Sequence, residues 1–205
     1  MKCCVSTGGR AALLDELRAY TAADAREAQM QRRMIAFIGS HADAFARTLA
    51  AGHITASAWI VDPSRARALL TQHRKLGKWL QLGGHLDGES DVRAAALREA
   101  REESGLRSLR FAISAIYDLD VHAIPARGTE PAHDHHDVRF AFEADPDEPL
   151  IVSTESRRLA WVALDELDRY GVDESVLRLA RKTERLRGVG ARNGTDSAAR
   201  VRDDA

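Results

Sequence analysis

Three glutamates pose the chemical question in this chain. Glu99, Glu102 and Glu103 stand three and four positions apart in a stretch, residues 91–104, whose apolar spacing is helical and which stops at Gly105. At that spacing their carboxylates project to one side of a helix and repel one another. Solvent tolerates such a cluster, and most Glu-rich helix faces are merely solvated. Beside a Gly-rich loop, the same cluster can supply the hard oxygen donors that Mg²⁺ or Mn²⁺ requires. Such a loop lies directly upstream, Gly83-Gly84-His85-Leu86-Asp87-Gly88-Glu89-Ser90, after a short strand read over residues 78–82. Arg98, next to the first glutamate, is placed to buttress the carboxylates from the flank.

The loop and the run Arg98-Glu99-Ala100-Arg101-Glu102-Glu103-Ser104-Gly105-Leu106 together resemble the Nudix signature. In that signature a Gly is followed after five residues by Glu and, seven residues later, by Arg-Glu-aliphatic-x-Glu-Glu-x-Gly-aliphatic. Two positions depart from it. Ser90 stands where the family has its first Glu, with Asp87 and Glu89 the acids at hand, and Ala100 stands where a larger aliphatic residue is usual. Ser90 is also a candidate cap for the helix. Further on, Ala160-Trp161-Val162-Ala163-Leu164-Asp165-Glu166-Leu167 is similar to the closing strand and following helix of Nudix domains, so the resemblance covers residues 52–187.

The resemblance implies an α/β fold, a mixed β-sheet sandwiched between α-helices, here with an N-terminal helical extension. It implies a Mg²⁺-dependent (or Mn²⁺-dependent) pyrophosphohydrolase that cleaves a diphosphate linkage in a nucleoside diphosphate derivative or related compound. Carried over by position, Glu99, Glu102 and Glu103 match the metal-binding acids and the Gly84 carbonyl a backbone ligand. Glu102, Glu103 and Arg98 fall in the catalytic group. Family members differ in where the base resides, on the helix or on a loop Glu shortly before the closing-strand Trp, and Glu155 lies six residues before Trp161. Ser90 motivates a second reading, a Nudix scaffold with weakened catalysis that binds a nucleotide-like ligand as a sensor.

Other residues could meet the substrate. Arg74 and Lys75 precede the Gly-Gly loop and could reach phosphates held at the carboxylates, or form no more than a solvated basic turn. His85 sits inside the box. The run His133-Asp134-His135-His136-Asp137 could contact metal or substrate, with His135 the member singled out, or serve as a hydrogen-bonding loop. If a strand starts at Asp137, then Asp137, Arg139 and Ala141 share one face, where Arg139 is a candidate substrate contact, and Val138, Phe140 and Phe142 form the core face.

The elements that must position these groups are legible in outline. Residues 11–50 carry apolar stripes with helical period, read as two helices with a break near residues 21–24. Strands are expected at 54–61, 66–71, 78–82, 109–124, 137–143 and 159–162, with a polar loop at 125–136 and helices at 165–170 and 173–187. The chain divides into a helical extension at 1–50, a catalytic domain at 51–187 and a tail at 188–205 that reads as disordered. Forty residues in two helices cannot bury a core alone, so the extension is expected to dock on the domain or on a second protomer of a homodimer.

Lys and Arg number 30 against 31 Asp and Glu, a formal net charge of −1, so nothing draws the whole chain to a nucleic acid polymer or a membrane. The expected partner is a small-molecule diphosphate. The only cysteines, Cys3 and Cys4, are adjacent and support neither a structural disulfide nor a four-ligand zinc site. With no secretory pattern at the start, the chain reads as cytoplasmic.

Overall fold

All ten residues of β1, Gly52–Val61, are buried, as happens in the middle of a sheet covered on both faces. In the computed structural model, which describes residues 9–129 and 131–194, β1 lies inside an eight-stranded sheet. Along one edge it pairs in parallel with β7, His133–Glu143, from Gly52↔Asp134 to Val61↔Glu143. The other edge is divided. β4, Leu82–His85, runs antiparallel to Thr55–Ala58, while β2, Arg67–His73, takes Ile60 and Val61. β3, Trp79–Leu80, remains on β2, so the chain changes partner at Gln81. β8, Ser156–Ala163, lies antiparallel to β2, and β5, Arg110–Phe111, and β6, Asp118–Ile124, pair with β7. The result is a mixed sheet flanked by helices.

Strand alternation sorts β1 into two faces. Ile54, Ala56, Ala58 and Ile60 join one core cluster with Ala95, Ala96 and Ala100 of α3, Val92–Ser104. These small side chains let the helix approach the sheet closely. Asp91 caps α3 by accepting hydrogen bonds from the Arg93 and Ala94 amides, and Gly105 closes it in the left-handed region at φ 75°. The cap is therefore Asp91 and not Ser90.

Helices α1, Arg10–Ala19, and α2, Ala25–Ser40, add Leu13, Leu17, Met30, Met34 and Ile38 to the same cluster. Each such side chain contributes roughly 1.5–3 kcal/mol when fully buried, so detaching the two helices would expose a sizeable apolar surface. On the other face, Trp59 and Val61 pack with Leu70, Val162, Val176 and Leu179, the last two from α4, Glu174–Gly194. The Trp59 indole donates to Thr183 Oγ1 at 2.8 Å, and Lys182 pairs with the buried Glu27, which ties α4 to α2.

Three local expectations are corrected and one is refined. The strand read over 109–124 is split into β5 and β6; between them Arg93 donates to the Ser114 carbonyl. The polar loop read at 125–136 ends early, because residues 133–136 find ladder partners on both β1 and β6 and tertiary pairing overrides their polarity. The helix read over 165–170 is present, as a 3-10 helix spanning Leu164–Tyr170. The tail read as disordered from residue 188 is helical as far as Gly194, and residues 195–205 lie outside the described residues.

Candidate functional site

Three consecutive residues of β4 address two sides of the sheet. A Cβ on Gly83 would fall 2.5 Å from Ser57 Oγ, whereas one on Gly84 would fall 2.7 Å from the Glu99 carboxylate. At Gly83 the Ser57 and Ala56 backbone and a φ of 149° exclude a side chain, whereas at Gly84 a side chain would displace the Glu99 carboxylate. The backbone at Gly84 thus lies against a carboxylate of α3. His85, next in the alternation, returns to the side of Ser57.

On the α3 side, Glu99 and Glu103 are buried, 9% and 8% exposed, while Glu102 is open to solvent. Arg98 gathers the group. Its guanidinium donates to Glu99 Oε1 at 2.8 Å, Glu102 Oε2 at 3.2 Å, Glu89 Oε1 at 3.1 Å and the His85 carbonyl at 2.9 Å. Glu89 therefore reaches from the loop to the arginine that bridges the helix acids, by a path that turns through Asp87 at φ 49° and Gly88 at φ 93°.

One arginine does not neutralise this cluster. Burial raises the Glu99 pKa, with Arg98 opposing and Glu102 and Asp87 adding to the rise. Glu103 is pushed up to about 8 by burial, by Glu99 and by Glu155, although the Gly83 amide donates to it. Surplus negative charge at oxygen donors, pressed against a glycine backbone, fits a divalent cation of the Mg²⁺ class.

Glu155 is exposed and directly precedes β8, near enough to Glu103 to raise its pKa. The Arg74 amide donates to the Glu155 carbonyl at 2.8 Å, and its guanidinium donates to the Ser156 carbonyl at 3.0 Å. Arg74 and Lys75 are both exposed on the turn after β2.

The opposite face of the sheet gathers a different set. His53, His85, His133 and His135 crowd together, with ring centroids 4.7 Å apart for His53–His135 and 5.0 Å for both His53–His85 and His53–His133. Burial and the neighbouring imidazoles lower the pKa of His53 to about 4 and of His135 to about 2, so both are neutral at pH 7. Farther along this face lies Arg139, only 1% exposed. Its donors meet Asp137 Oδ2 at 2.7 Å, Asp120 Oδ2 at 3.2 Å, Asp118 Oδ2 at 3.3 Å and Ser175 Oγ at 2.6 Å. Read from the sequence as a substrate contact, Arg139 lies instead within a buried ion-pair network, since α4 lies over its strand face and the neighbouring strand β6 supplies Asp118 and Asp120. Arg178 of α4 joins it, donating to Asp118 at 2.7 Å and Asp120 at 3.1 Å.

The structure thus brings Glu99, Glu102, Glu103, Arg98 and Gly84 together, with Glu155 nearby, and sets His85 and His135 in a separate cluster. Sequence reasoning passed over His53, Asp118, Asp120 and Arg178. The alternation Asp118-Leu119-Asp120-Val121-His122 was a usable signal for a strand with one polar face; nothing local marks His53 or Arg178.

Comparison with known proteins agrees with this layout. The family model of the NUDIX domain matches residues 52–181. A Myxococcus xanthus protein named octanoyltransferase is 36% identical over 121 residues, which cover 55% of this chain and 32% of that protein. The chain therefore spans about a third of the length of that curated relative. Among solved structures, a binary complex of a C. elegans Ap4A hydrolase superposes with TM-score 0.53 at 19% identity, covering 65% of this chain and 96% of that one. A NUDIX-family hydrolase from Clostridium perfringens gives TM-score 0.49 at 24% identity, covering 65% and 97%. The likeness to the C. elegans hydrolase, at 19% identity, concerns the fold alone. No helix among the described residues is long and apolar enough to cross a membrane. The domain match, which runs from the start of β1 into α4 across the carboxylate helix, shows that the chain belongs to the Nudix family.

Proposed function

We propose that this protein is a divalent-metal-dependent hydrolase of a diphosphate linkage in a nucleoside diphosphate derivative or related compound. The observation that carries the reading is the pair of buried carboxylates, Glu99 and Glu103, whose charge Arg98 alone does not balance. Glu99, Glu102, Glu103 and the Gly84 carbonyl would hold Mg²⁺ or Mn²⁺. When bound, such an ion neutralises phosphoryl oxygens and lowers the pKa of a water poised to attack.

The chain's own residues divide the remaining work. Arg98 is a positioning residue: it fixes Glu99 and Glu102 relative to each other and ties them to the loop through Glu89 and the His85 carbonyl. Glu103, whose pKa burial and the neighbouring Glu99 raise to about 8, would serve the cation as a carboxylate ligand beside Glu99. Glu155, solvent-exposed and beside Glu103, is the candidate base that takes the proton from the attacking water. Arg74 and Lys75, exposed on the turn whose backbone bonds Glu155, would meet substrate phosphates.

The test is a panel of ADP-ribose, dinucleoside polyphosphates, sugar nucleotides and oxidised nucleotides, each incubated with millimolar Mg²⁺ or Mn²⁺. Phosphate-containing products that disappear in Glu103→Gln support the proposal; binding without turnover across the panel overturns it in favour of a sensor. Turnover by Glu155→Gln within a few fold of wild type at saturating metal moves the base to α3.

A further inference from the structure

His53, His85 and His135 come from three strands and converge on one point. The ladder sets His53 of β1 opposite His135 of β7, and the antiparallel register of β4 brings His85 opposite Thr55, two residues from His53 on the same face. One ring nitrogen from each of the three lies within 4.8 Å of the others. His53 is 1% exposed, and neither of its ring nitrogens has a hydrogen-bond partner among the described residues. A buried polar atom without a partner is costly, so an imidazole with neither nitrogen paired has one to give to a ligand.

We infer that His53, His85 and His135 form a three-imidazole site for a zinc-class divalent transition metal, separate from the carboxylates of α3. The donor chemistry separates the two sites: imidazole nitrogen selects zinc and its neighbours, whereas carboxylate and carbonyl oxygen select magnesium and manganese. Tetrahedral zinc with Zn–N near 2.0–2.1 Å sets ligand nitrogens about 3.3 Å apart, so closing the site from the present spacing needs rotamer shifts of no more than about 1.5 Å. His85 and His135 are half-buried, which leaves one side of the cluster open for a water or a ligand oxygen as fourth donor.

The surroundings suit a metal site. His133 flanks the trio, its ring 5.0 Å from His53 and 5.1 Å from His135, while its Nδ1 lies 2.9 Å from the Pro131 carbonyl. His122 stacks edge-on 5.6 Å from His135 and contacts Asp120 Oδ2 at 3.2 Å, which connects the cluster to the buried acidic network. An ion here would cross-link β4, β1 and β7, and so fix the strand whose next residue back, Gly84, lies against Glu99. The assignment does not depend on the hydrolytic reading, because it concerns binding and not turnover.

The experiment uses the full chain without a polyhistidine tag, stripped with a chelator and titrated with Zn²⁺ against a chromophoric competitor. One equivalent bound with micromolar or tighter affinity is expected. Co²⁺ in its place should give the intense visible bands of a tetrahedral nitrogen site. Zinc affinity should fall by a hundredfold or more in His135→Gln and in the half-exposed His85→Gln, and stay unchanged in Glu103→Gln. Should a variant misfold, imidazole ¹⁵N shifts of His53, His85 and His135 in the wild-type chain on adding Zn²⁺ provide the same reading. Zinc lost in Glu103→Gln but retained in His135→Gln, or absent from the wild-type chain with the ¹⁵N resonances unmoved, overturns the proposal.

Discussion

Two groups of carboxylates lie on opposite faces of one sheet and behave in opposite ways. Asp118, Asp120 and Asp137 are as buried as Glu99 and Glu103, yet they meet Arg139 and Arg178 at 2.7–3.3 Å. For Asp118, burial alone would raise the pKa, but Arg178, Arg139 and Lys182 outweigh it; for Asp120, His122, Arg139 and Arg178 do so. Both titrate below the usual carboxylate range. On α3 the balance is reversed, and Glu99 and Glu103 titrate above it. Acids alone therefore say little about function. Where cations from the chain complete the group, it serves as core; where the chain withholds them, the group is set for a cation from outside.

The strongest attack on this contrast is Glu103→Gln. Turnover should fall about a thousandfold or more, while the metal-free protein becomes more stable at alkaline pH. The sign follows from linkage: a carboxyl with its folded pKa near 8, above the unfolded value, contributes stability that is complete below the unfolded pKa and lost as pH rises through about 8. Thermal melts in EDTA at pH 9 should place the variant several degrees above wild type, and Mg²⁺ should raise the melting temperature of wild type only. Equal melts in EDTA would put Glu103 on the balanced side of the comparison.

Arg178→Met is the matching blow to the other face. It removes one of the cations shared by two buried aspartates, with Arg139 and Lys182 still in place, and should lower the unfolding free energy by up to about 3–5 kcal/mol in urea titrations, with kcat of the folded fraction unchanged. A loss below about 1 kcal/mol, the range of an exposed pair, would break the contrast.

Acid sharpens it next. Because Asp118 and Asp120 have lowered folded pKa values, their stabilisation is complete above the ordinary carboxylate pKa near ~4 and drains as pH falls toward the folded values. Melting temperatures taken downward from pH 6 should fall steeply for wild type and less steeply for Arg178→Met. The smallest effect belongs to Ser90→Glu. Glu89 already occupies Arg98, so restoring an acid at position 90 should change kcat/KM by no more than a few fold; a gain of a hundredfold would show that the loop lacks a ligand.

The α3 acids were legible from spacing because a helix fixes the relation of residues three and four apart without help from the rest of the chain. Gly83 and Gly84 were legible as a pair, although the reason for each, Ser57 for one and Glu99 for the other, depends on what the fold brings to them. The buried network was not legible. Arg139 looked like a cation free for substrate because a strand's period shows which residues share a face and not what covers it. Its cover comes from Asp118 and Asp120, about twenty positions upstream, and from α4 downstream. The histidine trio was hidden for the same reason: His53, His85 and His135 are joined only by register, and the polar texture of residues 125–136 read as loop until β1 and β6 were there to pair with it.

The parallel contact between β1 and β7 bears on the order of assembly during synthesis. Thr55 and Asp137, hydrogen-bonded in the finished molecule, are separated by 82 positions of chain. While those positions are still being made, β1 can find β2 and β4 nearby, but its longest edge and the polar residues His53, Thr55 and Ser57 have no complement. Closing so long a loop is slow to be rewarded, which places the fold among those whose rate is limited by topology more than by stability. The nascent chain thus carries an unsatisfied strand until β7 leaves the ribosome, and that interval is when chaperones would have most to protect.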